Sequence, residues 1–139
     1  MLKAREYGED DSLHAPRIGC DLADVEAVEE SIIQFGERYL RRVYSAEERS
    51  QAGDSAERLA ARFAGKEAVL KVLRESSGVR YPEIEILNDA HGAPWVRLSA
   101  GAGRIATEQQ LGPIAISLSH ERGLALATAV ALPRSPRQL

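Results

Sequence analysis

Between Ser55 and Arg74, apolar residues fall on every side of a helical wheel. Leu59 and Phe63 lie on one side, Ala61, Ala68 and Val72 on the other. The stretch is rich in Ala and Leu, contains no Pro and has one interior Gly, so it predicts a helix. A helix that is apolar all round belongs in a core. Asp54 with Glu57 three residues on gives a capping-box pattern at its start. Gly78 supplies a left-handed stop beyond its end.

The pattern before this helix is shorter-ranged. Ile18, Cys20 and Leu22 alternate with Gly19 and Asp21, predicting a short strand over Arg17–Val25. Val28, Ile32, Ile33 and Phe35 suit a short helix over Glu26–Gly36, whose other face carries Glu26, Glu29 and Glu30. Arg38–Tyr44 is basic and aromatic. Ser45 and Glu48 form a further capping box, opening another helix.

After the long helix, Ile84 and Ile86 alternate with Glu83 and Glu85 in a strand over Pro82–Leu87. Turn residues over Asn88–Pro94 and a return strand at Trp95, Val96 and Leu98 complete a hairpin, with His91 at its tip. A polar helix over Ala102–Leu111 precedes two strands, Ile114–Ser119 and Leu124–Leu132. The last strand is apolar on both faces, as in strands covered on both sides. A small domain has difficulty covering both, so a subunit contact is expected. Residues 1–16 read as a mobile arm that includes a solvated His14, and residues 133–139 as a polar tail. The element order predicts an α+β domain.

Composition narrows this picture. The 139 residues fit one domain, and 44% apolar content with only 5% aromatics implies an aliphatic core. A net charge of −3 argues against a nucleic-acid partner. No stretch has the length of a membrane span, so no membrane partner is expected. The N-terminus lacks the apolar region of a signal peptide. A cytoplasmic location is therefore expected. Cys20, the single cysteine, has no disulfide partner in the chain and is expected as a small core residue.

The buried helix nevertheless carries Arg62, Lys66, Glu67 and Lys71. Burying such charges is costly unless each is paired, hydrated or bound to a ligand. Glu67 and Lys71 share a face, and on the helix alone a simple ion pair between them is the favoured reading. Asp21 in an apolar strand and His120 at a strand end widen the question. Two carboxylates from separate elements, Asp21 and Glu67, suit one Mg²⁺, which takes one or two carboxylates and fills its other positions with water and phosphate oxygens. Lysines and a histidine nearby would neutralise the rest of a phosphate ester, a set suited to phosphoryl chemistry. There is no P-loop, no glycine fingerprint of a dinucleotide fold, and no Cys/His spacing for zinc.

Three blocks carry a specific resemblance: Ile18-Gly-Cys-Asp-Leu22, Arg62-Phe-Ala-Gly-Lys-Glu-Ala68 with Lys71, and Ile116-Ser-Leu-Ser-His-Glu121. In this order and spacing, over residues 17–132, the chain resembles the holo-[acyl-carrier-protein] synthases, the small group of the 4′-phosphopantetheinyl transferase superfamily. The resemblance implies a small antiparallel sheet packed around a long central helix. It implies transfer of the 4′-phosphopantetheine arm of coenzyme A to a serine of an apo acyl carrier protein, releasing adenosine 3′,5′-bisphosphate. Asp21 and Glu67 match the family's Mg²⁺ carboxylates, and Lys71 its conserved lysine near the pyrophosphate. Arg62, Lys66, Lys71 and His120 match positions lining the coenzyme A site. The group forms homotrimers with active sites between subunits.

Two features depart from the family pattern. Ala23 stands where larger superfamily members have a further acid, so water would complete the coordination. The stretch Asp24–Glu30, where the family often has basic residues that meet the acidic carrier, has no Lys or Arg. Docking is therefore expected to rest on Arg38, Arg41 and Arg42, or the partner is a specialised carrier. Two other readings compete: a non-catalytic coenzyme A or carrier-protein binding module of the same fold, and an assembly subunit with purely structural ion pairs.

Overall fold

The computed structural model describes residues 2–9 and 14–134. Of the expected arm, residues 2–9 and 14–16 are exposed. Residues 1 and 10–13, and the tail from 135 onward, lie outside the described residues. The chain forms β1 (Arg17–Asp24), α1 (Val25–Phe35), α2 (Glu37–Val43), α3 (Ala46–Ala52) and α4 (Ala56–Leu73). A 3-10 turn (Tyr81–Glu83) leads into β2 (Ile84–Asn88) and β3 (Pro94–Leu98). Then come α5 (Ala100–Glu108), β4 (Leu111–Glu121) and β5 (Leu124–Pro133).

Strands β1, β5 and β4 make an antiparallel sheet in that order, while β2 and β3 pair as a separate hairpin. Helix α4 lies across the three-stranded sheet and also touches α1 and β2. The fold is the expected α+β arrangement of a small antiparallel sheet on a long central helix. Val69, Val72 and Leu73 are wholly buried. Each fully buried aliphatic side chain of this kind is worth about 1.5–3 kcal/mol relative to exposure.

Small residues let helix and sheet approach closely. Ala125, Ala127, Ala129 and Ala131 alternate along β5 and all face α4, essentially without exposure. Gly19 faces it from β1, and a Cβ there would lie 1.9 Å from the Ala68 carbonyl oxygen. Gly65 is the reciprocal gap on the helix, where a Cβ would meet Ile86 at 3.0 Å and Ile116 at 3.1 Å.

This close approach sends the larger apolar residues outward, which corrects the expectation for Cys20. Its thiol is exposed on the outer sheet face, not in the core. Ile18, Leu22, Leu124, Leu126 and Leu132 share that exposed face. The clean alternation in β1 is real, but its large-residue side is the outer one.

Several boundaries also move. Ser55, not Asp54, caps α4, its side chain accepting a hydrogen bond from the Arg58 amide at 3.2 Å. Arg74, with φ at 56°, takes the left-handed position at its end, and Gly78 serves the turn that follows. The basic-aromatic segment is itself helical as α2, entered through Gly36 at φ 54°. The capping box at Ser45 and Glu48 forms as the sequence predicts.

Candidate active site

The register of β1 on α4 sets the site. Asp21 stands on the helix-facing side of β1, two residues after the Gly19 contact. Lys71 reaches from the last turn of α4 to this strand. Its ammonium donates to the Cys20 carbonyl at 2.7 Å and lies 3.3 Å from Asp21 Oδ1. The helical Glu67–Lys71 pair is thus replaced by a contact between elements. Lys71 remains half-exposed, so its ion pair adds little stability.

Glu67, one turn before Lys71, has a different partner. The Tyr81 hydroxyl donates to Glu67 Oε1 at 2.6 Å. This bond, aided by burial, pushes the tyrosine pKa up to about 12. The charges of Glu67 and Asp21 also raise it, and that of Arg42 lowers it. Two carboxylates from two elements are a donor set that fits a hard cation which also binds phosphate oxygens. Among the described residues, no group of three or more His, Cys, Asp or Glu is gathered as a metal site.

Beside Tyr81 opens a groove of about 800 Å³. Arg38, Arg41, Arg42 and Arg80 line it together with the rings of Phe35 and Phe63. All four arginines are exposed residues. A cationic groove therefore adjoins the carboxylate pair. Its other neighbour, α1, exposes Glu26, Glu29 and Glu30.

The structure places Arg62 and Lys66, both expected to line the coenzyme A site, inside the protein. Lys66 has no exposure. Its ammonium donates to Glu48 Oε1 at 2.5 Å, to the Ile84 carbonyl at 2.6 Å and to the Tyr81 carbonyl at 3.0 Å. Burial pulls its pKa below the usual lysine range, and Glu48 opposes that pull. Glu48 is equally buried and accepts from the Ile86 and Ser45 amides. Arg62 is 3% exposed and donates through Nη1 to the Arg58 carbonyl. Both residues are buried within the single chain. The reason is packing: the middle of α4 is enclosed, so Lys66 is neutralised internally by Glu48, whereas Arg62 Nε and Nη2 are buried with no partner among the described residues.

His120 is exposed on β4 and sits 3.5 Å from Glu57 in the first turn of α4. At a rise of about 1.5 Å per residue, Glu57 lies about 15 Å along the helix from Glu67. The single chain thus gathers Asp21, Glu67 and Lys71 but leaves His120 at the far end.

Two residues of the site escaped the sequence reading. Tyr81 carries no motif signal and lies just before the predicted strand. Glu48 was legible only as a helix cap, a role it also performs. No helix among the described residues is long and apolar enough to cross a membrane.

The sequence model of the 4′-phosphopantetheinyl transferase superfamily matches residues 17–129, and the chain belongs to this family, in its holo-[acyl-carrier-protein] synthase group. A holo-[acyl-carrier-protein] synthase of Chloroflexus aggregans is 37% identical over 131 residues, covering 81% of this chain and 92% of the relative. One from Dehalococcoides mccartyi is 39% identical over 113 residues, covering 81% and 95%. The crystal structure of the Helicobacter pylori holo-[acyl-carrier-protein] synthase in complex with coenzyme A is also similar. It superposes with a TM-score of 0.75 at 27% identity, covering 82% of this chain and 98% of that one.

Proposed function

We propose that this enzyme transfers the 4′-phosphopantetheine arm of coenzyme A to a serine of an apo acyl carrier protein, releasing adenosine 3′,5′-bisphosphate. The observation that carries the site assignment is the meeting of Asp21 from β1 with Lys71, one turn from Glu67 on α4. In the reaction the serine oxygen forms a bond to the β-phosphorus of the coenzyme A pyrophosphate. The bond from that phosphorus to the bridging oxygen breaks, and the electron pair leaves with adenosine 3′,5′-bisphosphate.

Asp21 and Glu67 would hold Mg²⁺. The ion, when bound, neutralises pyrophosphate charge and polarises the β-phosphate. Lys71 places its ammonium beside Asp21, where it can meet the leaving phosphate. His120 approaches coenzyme A from a neighbouring copy, because within one chain it is too distant from Glu67. The exposed apolar sheet face supports a homotrimer with sites between subunits. The groove of Arg38, Arg41 and Arg42 receives the acidic carrier, since the charged residues of α1 are all acids.

Mixing the protein with coenzyme A, Mg²⁺ and several apo carriers should add the mass of one phosphopantetheine arm to a carrier. No gain with any carrier would refute the reading. Glu67→Gln should lower the rate by about 10²–10³-fold, the scale seen when one charge-stabilising group is removed. Parent-like rates would remove Glu67 from the site. Reversing the charges of Arg38, Arg41 and Arg42 should raise the carrier KM while leaving the coenzyme A KM unchanged. An unaltered carrier KM would place docking elsewhere.

A further inference from the structure

Two consecutive residues of α4 grip opposite ends of one tyrosine. Lys66 donates to the Tyr81 carbonyl at 3.0 Å, and Glu67 accepts from the Tyr81 hydroxyl at 2.6 Å. The ring between these ends packs against Phe63 of the same helix, with centroids 5.7 Å apart. The lysine is itself immobilised by Glu48 and the Ile84 carbonyl. The Glu83 amide bonds the Arg80 carbonyl at 3.0 Å and closes the turn that carries the tyrosine. The buried pair therefore fixes the turn, and the turn fixes the hydroxyl.

A free glutamate carboxylate rotates about its last bond and presents either oxygen to a ligand. Here Oε1 is taken by the tyrosine, which leaves Oε2 as the free oxygen in a defined orientation. Groups that hold a metal-binding side chain in this way tune affinity without touching the ion.

We infer that Tyr81 is a positioning residue: its hydroxyl sets the Glu67 carboxylate for the cation and for the pyrophosphate that the cation carries. This rests on the reading of Glu67 as a metal carboxylate. It also gives the buried Lys66–Glu48 pair a task, because that pair anchors the backbone from which the hydroxyl is aimed.

The test uses Tyr81→Phe, which keeps the ring on Phe63 and the carbonyl on Lys66 while deleting the hydroxyl. Mn²⁺ binding in the presence of coenzyme A is measured by electron paramagnetic resonance, alongside the Mg²⁺ dependence of transfer. Tyr81→Phe should bind Mn²⁺ about tenfold more weakly, the lower end of the effect of such outer partners. The Mg²⁺ needed for half-maximal rate should rise by the same factor. At saturating Mg²⁺, kcat should return close to the parent value with an unchanged coenzyme A KM.

Phe63→Leu controls for packing. It should lower the melting temperature and leave Mn²⁺ affinity intact. Equal Mn²⁺ affinity in Tyr81→Phe and the parent, with binding lost in Glu67→Gln, would overturn the role of Tyr81 alone. Equal weakening by Phe63→Leu would also overturn it, since packing would then explain the effect. Parent-like Mn²⁺ binding by Glu67→Gln would instead overturn the reading on which the inference stands.

Discussion

Lys66 and Lys71 sit on the same helix and carry the same charge, yet they do different work. Lys71, near the helix end, is itself exposed and reaches a half-buried carboxylate and a strand carbonyl. Lys66, at the enclosed middle, spends all three ammonium protons inside the protein. Breaking a buried pair by removing one partner leaves an uncompensated charge. Lys66→Ala should therefore cost about 3–5 kcal/mol in urea unfolding, on the scale known for such pairs. The double variant Lys66→Met with Glu48→Leu should recover only part of that loss: the charge left over is gone, but the backbone groups the pair satisfied are left without partners. At saturating Mg²⁺ its coenzyme A KM should match the parent. A raised KM in a folded double variant would restore Lys66 to the ligand site.

Among the elements, the contact of β1 with α4 decides whether the site forms. The strand supplies Asp21 and the helix supplies Glu67 and Lys71, and Gly19 allows their backbones to meet. Gly19→Ala places a methyl group against the Ala68 carbonyl, so strand and helix must separate. Overpacking of this kind costs about 1–3 kcal/mol. The melting temperature should fall, and the transfer rate should fall further than stability loss alone explains, because Asp21 moves with the strand. A variant that melts and turns over like the parent would show that the two elements do not depend on this contact. The need for Gly19 was legible in part: glycine beside an acid suggested a close approach, though not its partner. The α2 helix was hidden, since Arg38–Tyr44 reads as charge and aromatics without a clear period.

At the scale of the whole molecule, the described residues cover the sheet on one side only. Its outer face shows Ile18, Leu22, Leu124, Leu126 and Leu132, with Cys20 among them. A contiguous apolar face of this kind marks an interaction surface. If copies of the chain cover it, Leu22→Glu with Leu126→Glu should convert a trimer to a monomer in sedimentation and abolish transfer. Cys20 should react slowly with a maleimide in the parent and rapidly in that variant. A parent that sediments as a monomer would refute the shared site.

The sequence by itself determined much of this protein. Periodicity marked the long helix, the hairpin and the strands. Capping chemistry placed α3. Three short blocks identified the family and named Asp21, Glu67 and Lys71. Each of these signals is local, or is a pattern of residue types that survives without coordinates. Tertiary structure alone decided which side of each alternating strand faces the helix, because that depends on how closely the backbones approach. It alone buried Lys66 and Arg62, because burial is set by elements distant in the chain. The bond from Tyr81 to Glu67 belongs to the same class. It joins a turn to a helix across a loop, and only packing brings that hydroxyl to that carboxylate.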